Sequence, residues 1–299
     1  MTDADASRLR PFRVRMGAAV SAAGKPQFVV EKDYALSYLL VGIVDTPMLR
    51  EMLVFKGGTC LRKAYFPGYR FSEDLDFTSR EVLGCDALLK ALNDAAAVMT
   101  NRLQVIGPFA VAVAEETHRD PHPRGQCVYR VQVQFPWMRE PSCRLKVEVS
   151  AGEPLLAGSV DRPLIHDFPG ESLEATLPVY RLEEIAAEKL RALLQSRQHL
   201  RDRGWLRNRP RDLYDLRHLW EQRDLPVDWR LVGELLPVKA EAYGVEFSSA
   251  SDFLDDEVLK GIERDWNGQL ANFVPVPPTF DECIPALHAI LARVLPADA

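Results

Sequence analysis

The stretch Phe55-Lys-Gly-Gly-Thr-Cys-Leu61, followed by Arg70-Phe-Ser-Glu-Asp-Leu-Asp-Phe77, decides how the rest of this chain is read. Met52-Leu-Val-Phe55 is a short apolar run that stops at Gly57-Gly58, and TCLRKAYF behind it is helix-like, which gives the order strand, tight turn, helix. Pro67-Gly68 marks a second turn, after which RFSEDLDFT, from Arg70 to Thr78, alternates in the manner of a strand. Residues two apart on a strand share a face, so Asp74 and Asp76 point the same way. Paired hard carboxylates suit one or two magnesium ions. A Gly-Gly turn that opens a helix exposes backbone N–H groups and the positive end of the helix dipole, a ready seat for phosphate oxygens, and Thr59 adds a hydroxyl. For an isolated D-x-D, a solvated strand edge or turn is the alternative.

Working outward, Glu31 to Asp45 is a dense apolar helix with acidic residues in its first turn, and the spacing of Leu88, Leu89, Leu92 and Ala96 predicts another over Asp86 to Arg102. Phe109 to Val113, Gln126 to Phe135 and Arg144 to Ser150 are Val-rich with period-2 alternation and read as strands. In the last of these, Leu145, Val147 and Val149 share one face and Lys146, Glu148 and Ser150 the other. Glu148 therefore joins the two aspartates if its strand neighbours theirs, completing a two-metal phosphoryl-transfer site. Strand signals stop near Ser150, a Pro- and Gly-rich stretch follows, and from Tyr180 onward the pattern is mostly helical, ending in a helix from Glu282 to Val294 behind Pro275-Val-Pro277-Pro278. The expectation is an α/β (α+β) chain with a mixed sheet in residues 1–165 and a mainly helical lobe in residues 166–299.

At 299 residues, 47% apolar and 27% charged, the chain can bury a sizeable core, which excludes wholesale disorder, collagen and coiled coil. The longest uncharged run near the N-terminus, Tyr34 to Val44, has 11 residues, against the roughly 20 needed to cross a bilayer. Asp3, Asp5, Arg8, Arg10 and Arg13 without an apolar stretch give no secretion signal, so the expected compartment is the cytoplasm, without a membrane partner. Cys60, Cys85, Cys127, Cys143 and Cys283 are odd in number and widely spaced, and they read as reduced thiols rather than a disulfide framework or a zinc site. His118 and His122 fall in a predicted surface loop. The histidines form no H-E-x-x-H, and no G-x-x-x-x-G-K-[ST], G-x-G-x-x-G or G-x-S-x-G occurs, which disfavours P-loop enzymes, dinucleotide-dependent dehydrogenases and serine hydrolases.

In the helix that begins near Leu182, turning about 100° per residue puts Lys189 at roughly 340°, inside the arc of Ile185, Ala186, Leu190 and Leu193, with Glu188 at roughly 240° facing solvent. A cation on a buried face needs a negative partner, and a nucleoside triphosphate or a core carboxylate would each serve. Asp212 follows Pro210 at a helix start, where an aspartate also favours the helix dipole. From Lys189 to Arg217 eight arginines and one lysine face three aspartates, a net +6, which leaves −12 on the remainder of a chain whose total is −6. Such a segment points to a polyanion held by phosphate contacts, with Trp205 available to stack a base, or else to a solvated arginine-rich loop with internal pairs.

The combination GG-[ST], a short helix and D-x-D is the layout of the polymerase-beta-like nucleotidyltransferase core. Phe55 to Leu61 with Arg70 to Phe77 closely resembles the AbiEii-type nucleotidyltransferase toxin family, MenT-like toxins included, and Glu31-Lys-Asp-Tyr34 resembles that family's early helix. Glu183-Glu-Ile-Ala-Ala-Glu-Lys-Leu190 and Arg211-Asp-Leu-Tyr-Asp-Leu216 resemble its two downstream motifs in the expected order. The resemblance implies that Lys56, Gly57, Gly58, Thr59 and Ser72 bind nucleotide phosphates, that Asp74 and Asp76 hold Mg2+ or Mn2+ with Glu148 as third ligand, and that Lys189 and Asp212 complete the catalytic set. It implies the toxin of a toxin–antitoxin or phage-defence system, with an antitoxin encoded beside it. An NTP would then be the donor and the 3′ end of tRNA the acceptor, which blocks translation, with Arg197, Arg201, Arg203, Arg207 and Arg209 as RNA contacts. The rival expectations are a transferase with a small-molecule acceptor and an inactive RNA- or protein-binding module of the same fold.

Overall fold

The computed structural model describes residues 10–116 and 126–295; the loop expected to carry His118 and His122, like Asp3, Asp5 and Arg8, lies outside them. The described chain forms two compact units, one running through Glu153 and resuming at Ser159–Val179, the other made of Pro154–Gly158 and everything from Tyr180 onward. The main division falls later than residue 165 because a strand over Thr176–Tyr180, inside the Pro-rich stretch, belongs to the sheet.

In the first unit α1 (Phe12–Ala23), α2 (Gln27–Asp45) and α3 (Pro47–Met52) lead into β1 (Leu53–Lys56). The turn α4 (Gly57–Cys60) continues without a break as a π turn, Leu61–Tyr65, and β2 (Asp74–Ser79), α5 (Cys85–Gln104), β3 (Ala110–Glu115), β4 (Gln126–Gln134), β5 (Cys143–Ser150), β6 (Ser159–Pro163) and β7 (Thr176–Tyr180) follow. The seven strands make one mixed sheet in the order β3-β4-β5-β2-β1-β7-β6. β6 and β7 are strands the sequence reading missed. Each has five residues and contains a proline, and β7 joins by parallel pairing with β1, opposite Phe55 at Val179, so neither shows the alternation of a longer strand.

The residues of Glu31-Lys-Asp-Tyr34 each tie α2 to a different part of this unit. Glu31 accepts from the Trp137 indole N–H at 2.9 Å, Lys32 pairs with Glu73 at 2.5 Å, and the Tyr34 hydroxyl donates to Glu171 at 2.9 Å. Asp33 meets Arg62 Nε at 2.5 Å and Lys63 Nζ at 2.9 Å on the π turn, so the helix that follows Gly57-Gly58 is fixed by buried charge. Burial alone would raise the Asp33 carboxyl, but Lys63 and Arg62 overcome it and hold the group well below the usual carboxylate range. Where α2 crosses α5 a Cβ on Gly42 would lie closer to the Ala95 carbonyl than any real contact allows, so only glycine permits this approach.

The expectation of reduced cysteines holds for Cys60, Cys143 and Cys283, which are free and buried, and fails for Cys85 and Cys127, which form a disulfide. Their 42-residue separation conceals that the first turn of α5 lies against the start of β4, with the two Cα atoms 5.6 Å apart.

The second unit contains α6 (Leu182–Arg203), α7 (Pro210–Glu221), α8 (Trp229–Glu241), a 3-10 turn (Ala250–Phe253), α9 (Asp256–Leu270) and α10 (Phe280–Val294), packed around Leu193, Leu213, Leu216, Leu236, Ile262 and Leu287. Asp228 caps α8, and Thr279 with Glu282 forms a capping box on α10. Lys239 of α8 is fully buried, pairs with Glu184 at 2.8 Å and Glu188 at 3.1 Å, and donates to the Pro154 carbonyl at 2.6 Å. Glu188 thus points inward rather than to solvent as expected, because a helical wheel registers the apolar residues of α6 and not a lysine arriving on α8. Among the described residues no helix is long and apolar enough to cross a membrane.

The buried Asp33 cluster yields the first prediction. Asp33→Asn leaves Arg62 and Lys63 without their counter-charge and should lower unfolding free energy by about 3–5 kcal/mol in urea titrations near neutral pH. Because the folded-state pKa of Asp33 is depressed, its contribution is complete above the unfolded carboxylate value and is lost as pH falls. The gap between wild type and Asp33→Asn should therefore be constant above about pH 5 and shrink in acid.

Candidate active site

β2 lies between β1, which it pairs antiparallel, and β5, which it pairs parallel. The register sets Lys56 opposite Asp76 on one side, and Asp74 opposite Lys146 and Asp76 opposite Glu148 on the other. Leu75, Phe77, Val147 and Val149 fill the buried face, while Asp74, Asp76, Lys146 and Glu148 are half-buried on the opposite one. The neighbouring strand that sequence alternation required for Glu148 is therefore present. Lys146 Nζ lies 2.6 Å from Glu148 Oε1.

The carboxylates repel one another. Burial first, then the charges of Glu148 and Asp74, push the Asp76 carboxyl up to about 8, and Asp76 and Glu148 share a hydrogen bond. Lys146 responds in the opposite sense: burial disfavours its charge, but the hydrogen bond and charge of Glu148, with Asp74 and Asp76 beyond, hold its ammonium above the ordinary value. The donor set has the chemistry of a divalent-cation site, hard carboxylate oxygens with an ammonium seated among them as a stand-in cation. As they stand, no three His, Cys, Asp or Glu side chains among the described residues are gathered closely enough to hold a metal ion.

The Gly57-Gly58 turn sits directly beside these groups. Gly57 has φ +77°, and a Cβ there would come within 2.5 Å of Asp76 Oδ2. A Cβ on Gly58 would collide with the Arg70 guanidinium, which is buried against it. Thr59 is fully buried and its hydroxyl donates to the Asp74 carbonyl, which holds the turn to β2. Lys56 is buried in an ion pair with Glu153, and Ser72 is buried just ahead of β2. Arg70, Lys146 and Glu153 are residues of this locality that sequence reasoning passed over. Arg70 lay inside the quoted motif, and Lys146 shares the alternating face of Glu148, but Glu153 carries no local signal.

In the helical unit Lys189 is buried between Asp212 Oδ1 at 2.9 Å and Asp215 Oδ2 at 2.6 Å, so the core-carboxylate partner considered for it exists. Asp215 is fully buried in this pair. Burial would raise the Asp212 carboxyl, but Lys189 and Arg209 hold it below its usual value. Arg209 lies 3.6 Å from Asp212, and burial lowers its own pKa to about 10. Arg197 is tied to Asp252 at 2.7 Å and Asp255 at 3.8 Å. Arg201, Arg203 and Arg207 are exposed, as is Trp205, whose ring lies 5.0 Å from that of His199. Partial burial, then Arg203, Arg209 and Arg207, disfavour protonation of His199, a mark of the positive field along this segment.

Comparison with known proteins adds to this geometry. The family model for the nucleotidyl transferase AbiEii toxin of type IV toxin–antitoxin systems matches residues 38–293. Among solved structures the chain is similar to MenT4, a nucleotidyltransferase toxin from Mycobacterium tuberculosis, with a TM-score of 0.66 and 22% identity over 95% of this chain and 90% of that one. Among curated protein sequences none matches significantly. A family match over most of the chain, on a fold shared with a nucleotidyltransferase toxin, makes this protein a member of the AbiEii nucleotidyltransferase toxin family, the toxins of type IV toxin–antitoxin systems.

Proposed function

We propose that this toxin transfers a nucleoside monophosphate from an NTP to an RNA acceptor, the 3′ end of tRNA, and thereby blocks translation. The observation that carries the reading is the register of β2 against β5, which gathers Asp74, Asp76 and Glu148 on one face beside the Gly57-Gly58 turn. Asp74 and Asp76, with Glu148, would hold Mg2+ or Mn2+. When bound, the ion supplies Lewis-acid stabilisation of charge on the phosphate oxygens. The N–H groups of Gly57 and Gly58 seat the triphosphate, framed by Lys56, Thr59 and Ser72. The acceptor hydroxyl gives up its proton to water, its oxygen bonds to the α-phosphorus as the bond to the bridging oxygen breaks, and pyrophosphate leaves. The likeness of Glu183–Leu190 and Arg211–Leu216 to the family's downstream motifs supports a catalytic role for Lys189 and Asp212 as well.

RNA as acceptor is supported by the exposed Arg201, Arg203 and Arg207 around the exposed Trp205 in a chain that is otherwise strongly acidic. The buried or paired Arg209 and Arg197 would contribute less. Membership of a type IV system implies a cognate antitoxin, which we place in a gene beside that of the toxin.

Two measurements test this reading. Purified protein incubated with total tRNA, magnesium and each labelled NTP in turn should label tRNA with at least one nucleotide, and Asp74→Ala should reduce incorporation by a factor of roughly a thousand or more. Folded wild type that labels no tRNA with any NTP would transfer the case to a small-molecule acceptor or a binding role. The triple variant Arg201→Ala, Arg203→Ala, Arg207→Ala should raise KM for tRNA about ten- to a hundredfold with kcat little changed, and flatten the dependence of log KM on log salt by about two to three. An unchanged salt slope would remove these arginines from the RNA contact.

A further inference from the structure

We propose that Lys146 is a built-in counter-cation that occupies the acidic face and sets how tightly a divalent ion can bind there. The inference rests on the reading of Asp74, Asp76 and Glu148 as the metal-binding group. It starts from the alternation of β5, which puts a lysine on the same face as its glutamate, two residues before it. The parallel register then sets that lysine opposite Asp74 while Glu148 stands opposite Asp76. The ammonium reaches the third carboxylate at 2.6 Å.

Beside Lys56, which is paired with Glu153, the face therefore holds three carboxylates and Lys146, and Lys146 engages the carboxylate that would otherwise be available as the third ligand. Glu148 can serve the ammonium or a metal ion, and a divalent ion entering beside Asp76 is repelled by the ammonium already paired with Glu148. The lysine side chain is long, flexible and 36% exposed, so it can swing into solvent when the ion arrives. Lys56, the lysine in register with Asp76, is buried in its pair with Glu153, which leaves Lys146 as the one of the two lysines with room to move.

The test is direct binding of Mn2+ to the purified full-length protein, followed by electron paramagnetic resonance of free Mn2+ and by calorimetry, without nucleotide or RNA. Lys146→Met, with Lys146→Gln as a second neutral replacement, should tighten Mn2+ binding roughly tenfold or more, and the gain should shrink as salt is raised from 50 mM to 500 mM. Lys146→Arg keeps the charge and should stay within about threefold of wild type. Asp76→Asn should abolish the site in both the wild-type and the Lys146→Met backgrounds. If Asp76-dependent binding is present in wild type but the neutral variants bind no more tightly, the role assigned to Lys146 is wrong and the metal reading stands. If neither wild type nor the neutral variants show Asp76-dependent binding, the metal reading fails and takes this inference with it.

Discussion

Everything proposed for this protein depends on the register of one central strand. β2 is antiparallel to β1 and parallel to β5, so the side chains of three strands are fixed against each other at a single level, Lys56 beside Asp76 beside Glu148. Because side chains alternate, a slip of one residue on β5 would bring Val147 or Val149 into the place of Glu148 and leave the aspartates without their third carboxylate. The apolar half of the same alternation opposes the slip, since Leu145, Val147 and Val149 would then leave the core. Burial energy thus maintains an arrangement that is electrostatically unfavourable, three carboxylates on one face with Lys146 paired to one of them and Lys56 drawn to Glu153.

The surrounding structure keeps that face in place. Gly57 and Gly58 lack side chains where Asp76 and Arg70 lie, the Thr59 hydroxyl fastens the turn to the Asp74 carbonyl, and Asp33 fixes the following π turn through Arg62 and Lys63. These contacts join motifs that are distant in sequence. Glu31-Lys-Asp-Tyr34 is explained as a clamp on the Gly-Gly helix and on the segment preceding β2, not as a source of catalytic groups. Charge in the helical unit is treated similarly, for Lys239 and Lys189 are each buried between two carboxylates of that unit.

Legibility in the sequence followed the range of the interactions involved. The strand and turn around Gly57-Gly58, the shared face of Asp74 and Asp76, and the side of β5 that carries Glu148 were readable because each is set by periodicity within a few residues. That β5 lies beside β2 is a long-range fact, which alternation could state only as a condition. The short proline-containing strands β6 and β7, the Cys85–Cys127 disulfide and the inward turn of Glu188 were not readable, because each depends on a partner contributed by another element. For Lys189 the wheel placed the cation on the buried face, and only the fold supplied Asp215 beside Asp212 as its partners.

The most direct test of the central claim is the anomalous diffraction of crystals grown with Mn2+ and a non-hydrolysable NTP. The account predicts an anomalous peak within coordination distance of the Asp74 and Asp76 carboxylates, with the triphosphate against the Gly57-Gly58 turn. A peak held by other residues, or a triphosphate bound away from that turn while Asp74 and Asp76 coordinate nothing, would contradict it.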